Sequence, residues 1–153
     1  MEYIPLGSYQ HYDECAKVVD GLGYNLVELK VSPQRGVVQI QAVVSGKNPE
    51  ESISVNDCAK VHRVLLERLE EILGTDNVSM ELSSPGMERN IKNAAEFQFF
   101  SGRRIRVFSK SASDWIGGVL VSSDSERLSL SLEDGTVRTV DYQDIAKAKF
   151  IHL

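Results

Sequence analysis

Apolar residues recur along this chain at two distinct periods. Tyr12, Cys15, Val19 and Leu22 follow one another at steps of 3, 4 and 3, one helical stripe, which predicts a helix over Tyr9 to Leu22 closed by Gly21 and Gly23. From Tyr24 to Val31, Leu26, Val27, Leu29 and Val31 are interrupted by Glu28 and Lys30, and from Val37 to Ser45, Val38, Ile40, Ala42 and Val44 alternate with Gln39, Gln41 and Val43. Both read as strands. The five residues Ser32-Pro33-Gln34-Arg35-Gly36 between them make an antiparallel hairpin. The helical period returns from Val55 to about Leu73, where Cys58, Val61, Leu65, Leu69 and Ile72 share a face and Ser54 with Asp57 resembles a capping box. Gly74 ends that helix and Val78 to Leu82 is a third strand. The order α-β-β-α-β lets both helices cover one face of a small sheet, a KH-like or ferredoxin-like sandwich.

The pattern changes after a turn. Ser83-Ser84-Pro85-Gly86 cannot continue a helix or a strand, because Pro85 lacks an N–H and Gly86 frees the next step. Asn93 to Phe100 reads as a short helix whose three phenylalanines dock it between two bodies, ended by Ser101-Gly102. Short strands then follow at Arg103–Ser109, Asp114–Ser122, Arg127–Leu132 and Thr136–Asp141, with Asp134-Gly135 as a hairpin turn and a last turn and strand over Asp144 to Lys149. Such spacing suggests a small barrel or sandwich. The fold class is α+β, and a boundary between Asn90 and Lys92 gives domains 1–90 and 91–153.

Composition adds the charge distribution. The net charge of −5 hides an asymmetry: residues 1–90 carry 8 basic and 14 acidic side chains, residues 91–153 carry 9 and 8, and residues 81–110 alone have 6 against 3. An acidic front and a basic junction suit a partner that mixes protein and RNA better than bare duplex DNA. No apolar run is long enough to span a bilayer and no secretory signal is visible, so a cytoplasmic protein is expected. Cys15 and Cys58 form no C-x-x-C and read as buried, reduced thiols.

The stretch Ser83-Ser84-Pro85-Gly86-Met87-Glu88-Arg89, followed by Phe97-Gln98-Phe99-Phe100-Ser101-Gly102-Arg103-Arg104-Ile105-Arg106-Val107, resembles the signature of the ribosome maturation factor RimP family. The resemblance extends back to Ile53–Ala59 and forward to Asp144–Lys149, in family order. It departs at Glu88, where the family more often has Asp, and at Asn90, where it often has Pro. It implies an α/β N-terminal domain and an Sm-like, SH3-type C-terminal barrel. It also implies a monomeric assembly factor required for maturation of the small ribosomal subunit. Its partners would be ribosomal RNA and a basic small-subunit ribosomal protein, with no membrane and no small-molecule substrate.

Individual residues point the same way. His62 stands four residues after Cys58, half a zinc site at best, and no Walker loop or G-x-S-x-G elbow occurs, so no catalytic residue, metal or cofactor is expected. Arg104 and Arg106 alternate with Ile105 and Val107, which places the two guanidiniums on one strand face while the apolar pair packs inward. With Arg103 they form a phosphate- or carboxylate-binding set. Ser83, Ser84, Pro85, Gly86, Glu88 and Arg89 form the other part of the expected partner surface. Either hydroxyl also suits a cap for the segment that follows, and Glu88 suits a pair with Arg89 or Arg103. Trp115 fits the core or rim of the barrel better than an RNA-stacking platform, since single-strand binders interleave several aromatics. A stand-alone RNA-binding module is the alternative; the chain shows no GXXG clamp and no RNP aromatics.

Overall fold

The stripe of Tyr12, Cys15 and Val19 is buried as its spacing requires, and the helix that carries it, α1, runs over Tyr12–Gly21. It starts later than the pattern suggests. Leu6–Ser8 forms a 3₁₀ turn, and His11 takes φ 64, a left-handed geometry that ends any helix trying to pass through it. The computed structural model describes residues 1–47, 53–84 and 90–151. Within them the chain is α+β, with two α-helices and two sheets.

The first sheet has the order β1-β2-β3, from β1 (Tyr24–Gln34), β2 (Val37–Gly46) and β3 (Val78–Ser83). β1 reaches Gln34, so the connection is a two-residue turn, Arg35 and Gly36, rather than a five-residue loop. Gly36 supplies φ 72 there. Pro33 pairs with Val38 without penalty because β1 is an edge strand and a missing donor is tolerated. A bulge at Val27 lets Leu26 and Val27, adjacent in sequence, both be buried. β3 runs parallel to β2, with Ile40 beside Met80, and the crossover between them is α2, Val55–Leu73. Both ends of α2 are closed as the sequence predicts: Ser54 Oγ accepts the Asp57 N–H at 3.1 Å, and Gly74 turns left-handed at φ 68. Val61, Leu65 and Leu69 are fully buried, and α1 and α2 pack against each other and on β1 and β3 respectively.

The second sheet has the order β7-β6-β5-β4-β8. Its strands are β4 (Arg104–Ser109), β5 (Asp114–Ser123), β6 (Arg127–Ser131), β7 (Val137–Asp141) and β8 (Ile145–Phe150). All neighbours are antiparallel, and among the described residues β7 and β8 are not paired with each other. Its inner face gathers Ile105, Val107, Ile116, Leu120, Leu128, Leu130, Val140, Ala148 and Phe150, all buried. Gly118 is required within it: a Cβ there would stand 2.6 Å from the Ser131 carbonyl oxygen.

Contacts divide the chain into two compact units, Leu6–Pro85 and Met1–Pro5 with Gly86–Leu153. The first five residues are held in the second unit by specific bonds. The Met1 ammonium donates to the carbonyls of Tyr142 and Ile145 at 2.9 and 2.7 Å, and the Asn93 side chain both accepts from Ile4 N–H and donates to Ile4 C=O at 2.8 Å. Ala94–Phe99 is a 3₁₀ helix with a capping box, the Glu96 carboxylate accepting the Asn93 N–H at 3.2 Å. Two of the three phenylalanines in and after it find ring partners inside the same unit. Phe97 stacks on Tyr142, and Phe100 meets Phe150 edge to face with centroids 4.9 Å apart.

Candidate functional site

The alternation on β4 places Ile105 and Val107 in the core, wholly buried, and leaves Arg104 and Arg106 exposed. Cross-strand register then decides what surrounds them. Arg106 sits between Gly117 on β5 and Lys149 on β8, and Phe108 sits between Trp115 and Lys147. These side chains share the outer face of the sheet, because the inward positions of the same three strands are occupied by buried residues. Arg106 reaches diagonally to Trp115, its guanidinium carbon lying 4.5 Å from the ring centroid, while Phe108 meets the same indole edge to face at 5.4 Å. Gly117, directly opposite Arg106, leaves room for the tip of Ile151. A Cβ there would stand 3.1 Å from the tip of Ile151 and 3.9 Å from the Arg106 Cβ.

None of the ion pairs among the described residues involves Arg104, Arg106, Lys147 or Lys149. A groove of about 740 Å³ runs from Arg104, Trp115 and Gly117 towards the β6–β7 loop, where Glu133, Asp134 and Arg138 form its far rim. One end of the groove is therefore cationic and the other mixed.

Arg103 behaves differently from its two neighbours. Its guanidinium lies 3.9 Å from the centroid of Phe150, an inward-facing residue, and burial pushes its pKa down. Ser83 ends β3 opposite Val43 and is exposed, as is Ser84 after it; both belong to the unit Leu6–Pro85. Pro85, Gly86, Glu88 and Arg89 lie outside the described residues. The sequence reading did not single out Lys147, Lys149 or the Arg106–Trp115 contact. The lysines were legible in the alternation Lys147-Ala148-Lys149-Phe150, whose apolar members are buried.

Several other titratable groups are engaged within the fold. Asp144 ties the β4–β5 turn to β8: it accepts from Ser109 Oγ at 2.6 Å, Ser111 Oγ at 3.0 Å and Ser111 N–H at 2.8 Å. These bonds, the Ser109 hydroxyl first, hold its carboxyl below the usual range. Tyr142 donates to the Asp124 carbonyl at 2.6 Å, and burial pushes its phenol up to about 12. Cys15 is buried, which raises its thiol to about 11. His62 Nε2 lies 2.8 Å from the Met80 carbonyl oxygen, and among the described residues no three His, Cys, Asp or Glu side chains gather as metal ligands. No helix among the described residues is long and apolar enough to cross a membrane.

Comparison with known proteins fits this arrangement to a family. The model of the RimP N-terminal domain matches residues 14–88, from within α1 to past the end of β3. A ribosome maturation factor RimP from Albidiferax ferrireducens is 35% identical over 123 residues. These findings support the RimP family for this chain. The Albidiferax alignment covers 76% of this chain and 59% of that relative, so the chain spans less than two thirds of its length. RimP proteins of Borrelia turicatae and Borrelia hermsii are 29% and 28% identical over 138 residues, 90% of this chain and 92% of each relative. The latter two alignments reach beyond the N-terminal domain, so the likeness is not confined to the helical unit.

Proposed function

We propose that this protein is a non-enzymatic maturation factor that binds free or maturing small ribosomal subunits in the cytoplasm as a monomer. The reading rests on the family's relatives, each named a ribosome maturation factor. The observation that carries it to a surface is the set of four cations on the outer face of β4 and β8, unpaired among the described residues. Charge left without an internal partner is charge available to an external one. In this reading Arg104 and Arg106 meet ribosomal RNA phosphates. Arg103 supports them from its seat on Phe150, and the residues Ser83, Ser84, Pro85, Gly86, Glu88 and Arg89 add contacts. The acidic residues of the helical unit face a basic small-subunit ribosomal protein. In this reading the five-stranded sheet is the counterpart of an Sm-like barrel.

Co-sedimentation with small subunits, large subunits and assembled ribosomes at physiological salt tests this. Selective retention on small subunits is the expected result, and the double variant Arg104→Glu, Arg106→Glu should lose it while keeping its thermal midpoint. Equal retention on all particles, vanishing with salt, would overturn the reading in favour of a non-specific electrostatic contact.

A further inference from the structure

The cations on β4 and β8 are not a uniform patch, because one of them is organised by an aromatic ring. Arg106 lies over Trp115 at 4.5 Å from its centroid, and Phe108 braces the indole from the side. A guanidinium held over an indole loses little freedom when its other face is covered. That outer face is the kind of plane on which an unpaired base stacks. Its edge N–H groups stay available for hydrogen bonds to phosphate. Gly117 opposite Arg106 has no side chain of its own, and the tip of Ile151 lies over it, an apolar floor beside the stack.

The spacing of the charges suits a strand of nucleic acid. Arg104 and Arg106 are two residues apart on one face of β4, roughly 6.7 Å, a separation commensurate with successive phosphates of a single strand. Lys149 stands beside Arg106 and Lys147 beside Phe108 on β8, extending the positive track across the sheet. A duplex presents its bases stacked and paired, with no free face for the Arg106 plane. An acidic protein tail would satisfy the charges and leave the plane unused.

We infer that the outer face of β4, β5 and β8 binds a single-stranded RNA segment, with one unpaired base stacked on the Arg106–Trp115 pair and the flanking phosphates held by Arg104, Lys147 and Lys149. The inference rests on the small-subunit reading above and names the RNA feature that this face recognises. It adds Trp115, Lys147 and Lys149 to the binding residues.

Trp115 is the only tryptophan of the chain, so its fluorescence reports on this face directly. The full chain is titrated at fixed physiological salt with a single-stranded adenosine oligonucleotide of about ten nucleotides, a length within the usual range for such sites. Parallel titrations use a duplex RNA of equal length and polyglutamate. The single strand should change the emission and bind most tightly. Arg106→Lys, which keeps the charge but removes the plane, should weaken it about tenfold, in line with the loss of one stacked base. An unchanged affinity for Arg106→Lys, or duplex RNA or polyglutamate binding as tightly as the single strand, would overturn the inference. Circular dichroism on each variant confirms that the sheet is intact. Selective retention on small subunits without oligonucleotide binding overturns this inference alone. Oligonucleotide binding without selective retention overturns the subunit reading and leaves the inference standing.

Discussion

On the helical layer above the three-stranded sheet, Arg68 reaches Glu71 at 3.0 Å and Glu14 at 4.0 Å, and Lys47 pairs with Asp20. In the five-stranded unit Arg127 is likewise matched, by Asp141 at 3.3 Å and Glu126 at 3.4 Å. Arg104, Arg106, Lys147 and Lys149 on the outer face of that sheet have no such partner among the described residues, and Arg106 rests on an aromatic ring instead. Both units thus solve the inward problem alike, with buried aliphatic rows, and differ in how they leave their surface. Each surface is neutralised in places, and Lys17, Lys30, Lys60 and Arg63 of the first unit stand in none of these pairs either; what marks the second unit is four cations gathered in register on one sheet face. Exposed charge of this kind contributes little to folding, which leaves it available for binding.

If that division is right, damage to either inner face should be severe and similar. Leu65 on α2 and Ile105 on the inner face of β4 are both fully buried. Leu65→Ala and Ile105→Ala should each cost about 2–5 kcal/mol in urea unfolding, since each removes apolar contacts and leaves a cavity. A negligible cost at Ile105 would mean that the second sheet lacks a close-packed interior. Next in size is Gly118→Ala. The added methyl would meet the Ser131 carbonyl at 2.6 Å and Leu130 Cβ at 3.3 Å, neither of which is a free chain end. Overpacking of this kind costs about 1–3 kcal/mol. Gly117→Ala meets only the movable tip of Ile151 at 3.1 Å and should cost less stability while still perturbing the binding face.

The comparison itself is sharpened by a pair of matched surface changes. Arg68→Gln removes a guanidinium with two carboxylate partners and should lower stability by up to about 1 kcal/mol, less at high salt. Arg104→Gln removes one with none among the described residues and should stay within about 0.5 kcal/mol. Equal, salt-dependent losses in thermal melts would show that Arg104 has an internal partner after all.

Acid provides a further contrast. The Asp144 carboxyl is held low by the Ser109 hydroxyl and then by Ser111, a clamp confined to the five-stranded unit. Its folded pKa lies below the unfolded value of about 3.9, so its contribution is complete above that value and is lost as pH falls through the folded one. Asp144→Asn should therefore be less stable near neutrality and less sensitive to acid below about pH 4, which a pH series of thermal midpoints would reveal.

These predictions rest partly on features the sequence displays and partly on ones it hides. The period of Cys58, Val61, Leu65 and Leu69 and the caps Ser54 and Gly74 are local, and they correctly give α2 and its limits. The Arg104–Val107 alternation is local too, and it orients the guanidiniums. Pairing of β2 with β3 in parallel depends on a crossover that no short pattern encodes. The anchoring of Met1–Pro5 depends on bonds from Ile4 to Asn93 and from Met1 to Ile145, across 89 and 144 residues. The Arg106–Trp115 contact is a diagonal between strands, visible only once the register places Gly117 opposite Arg106.

The smallest effects test the backbone of each unit with one substitution. His11 at φ 64 precedes α1, and Ser113 at φ 51 sits in the turn between β4 and β5; they are the two non-glycine residues with positive φ among the described positions. A Cβ in this region costs about 1–2 kcal/mol, and glycine removes that cost while giving back part of it as chain entropy on folding. Ser113→Gly and His11→Gly should each raise stability by at most about 1 kcal/mol. Ser113 adjoins the Ser109–Asp144 clamp, whose bonds hold Ser111 and the Ala112 N–H in place. A gain at His11 with none at Ser113 would mean that the clamp, not the residue's own preference, sets the geometry of the turn beneath the Arg106–Trp115 face.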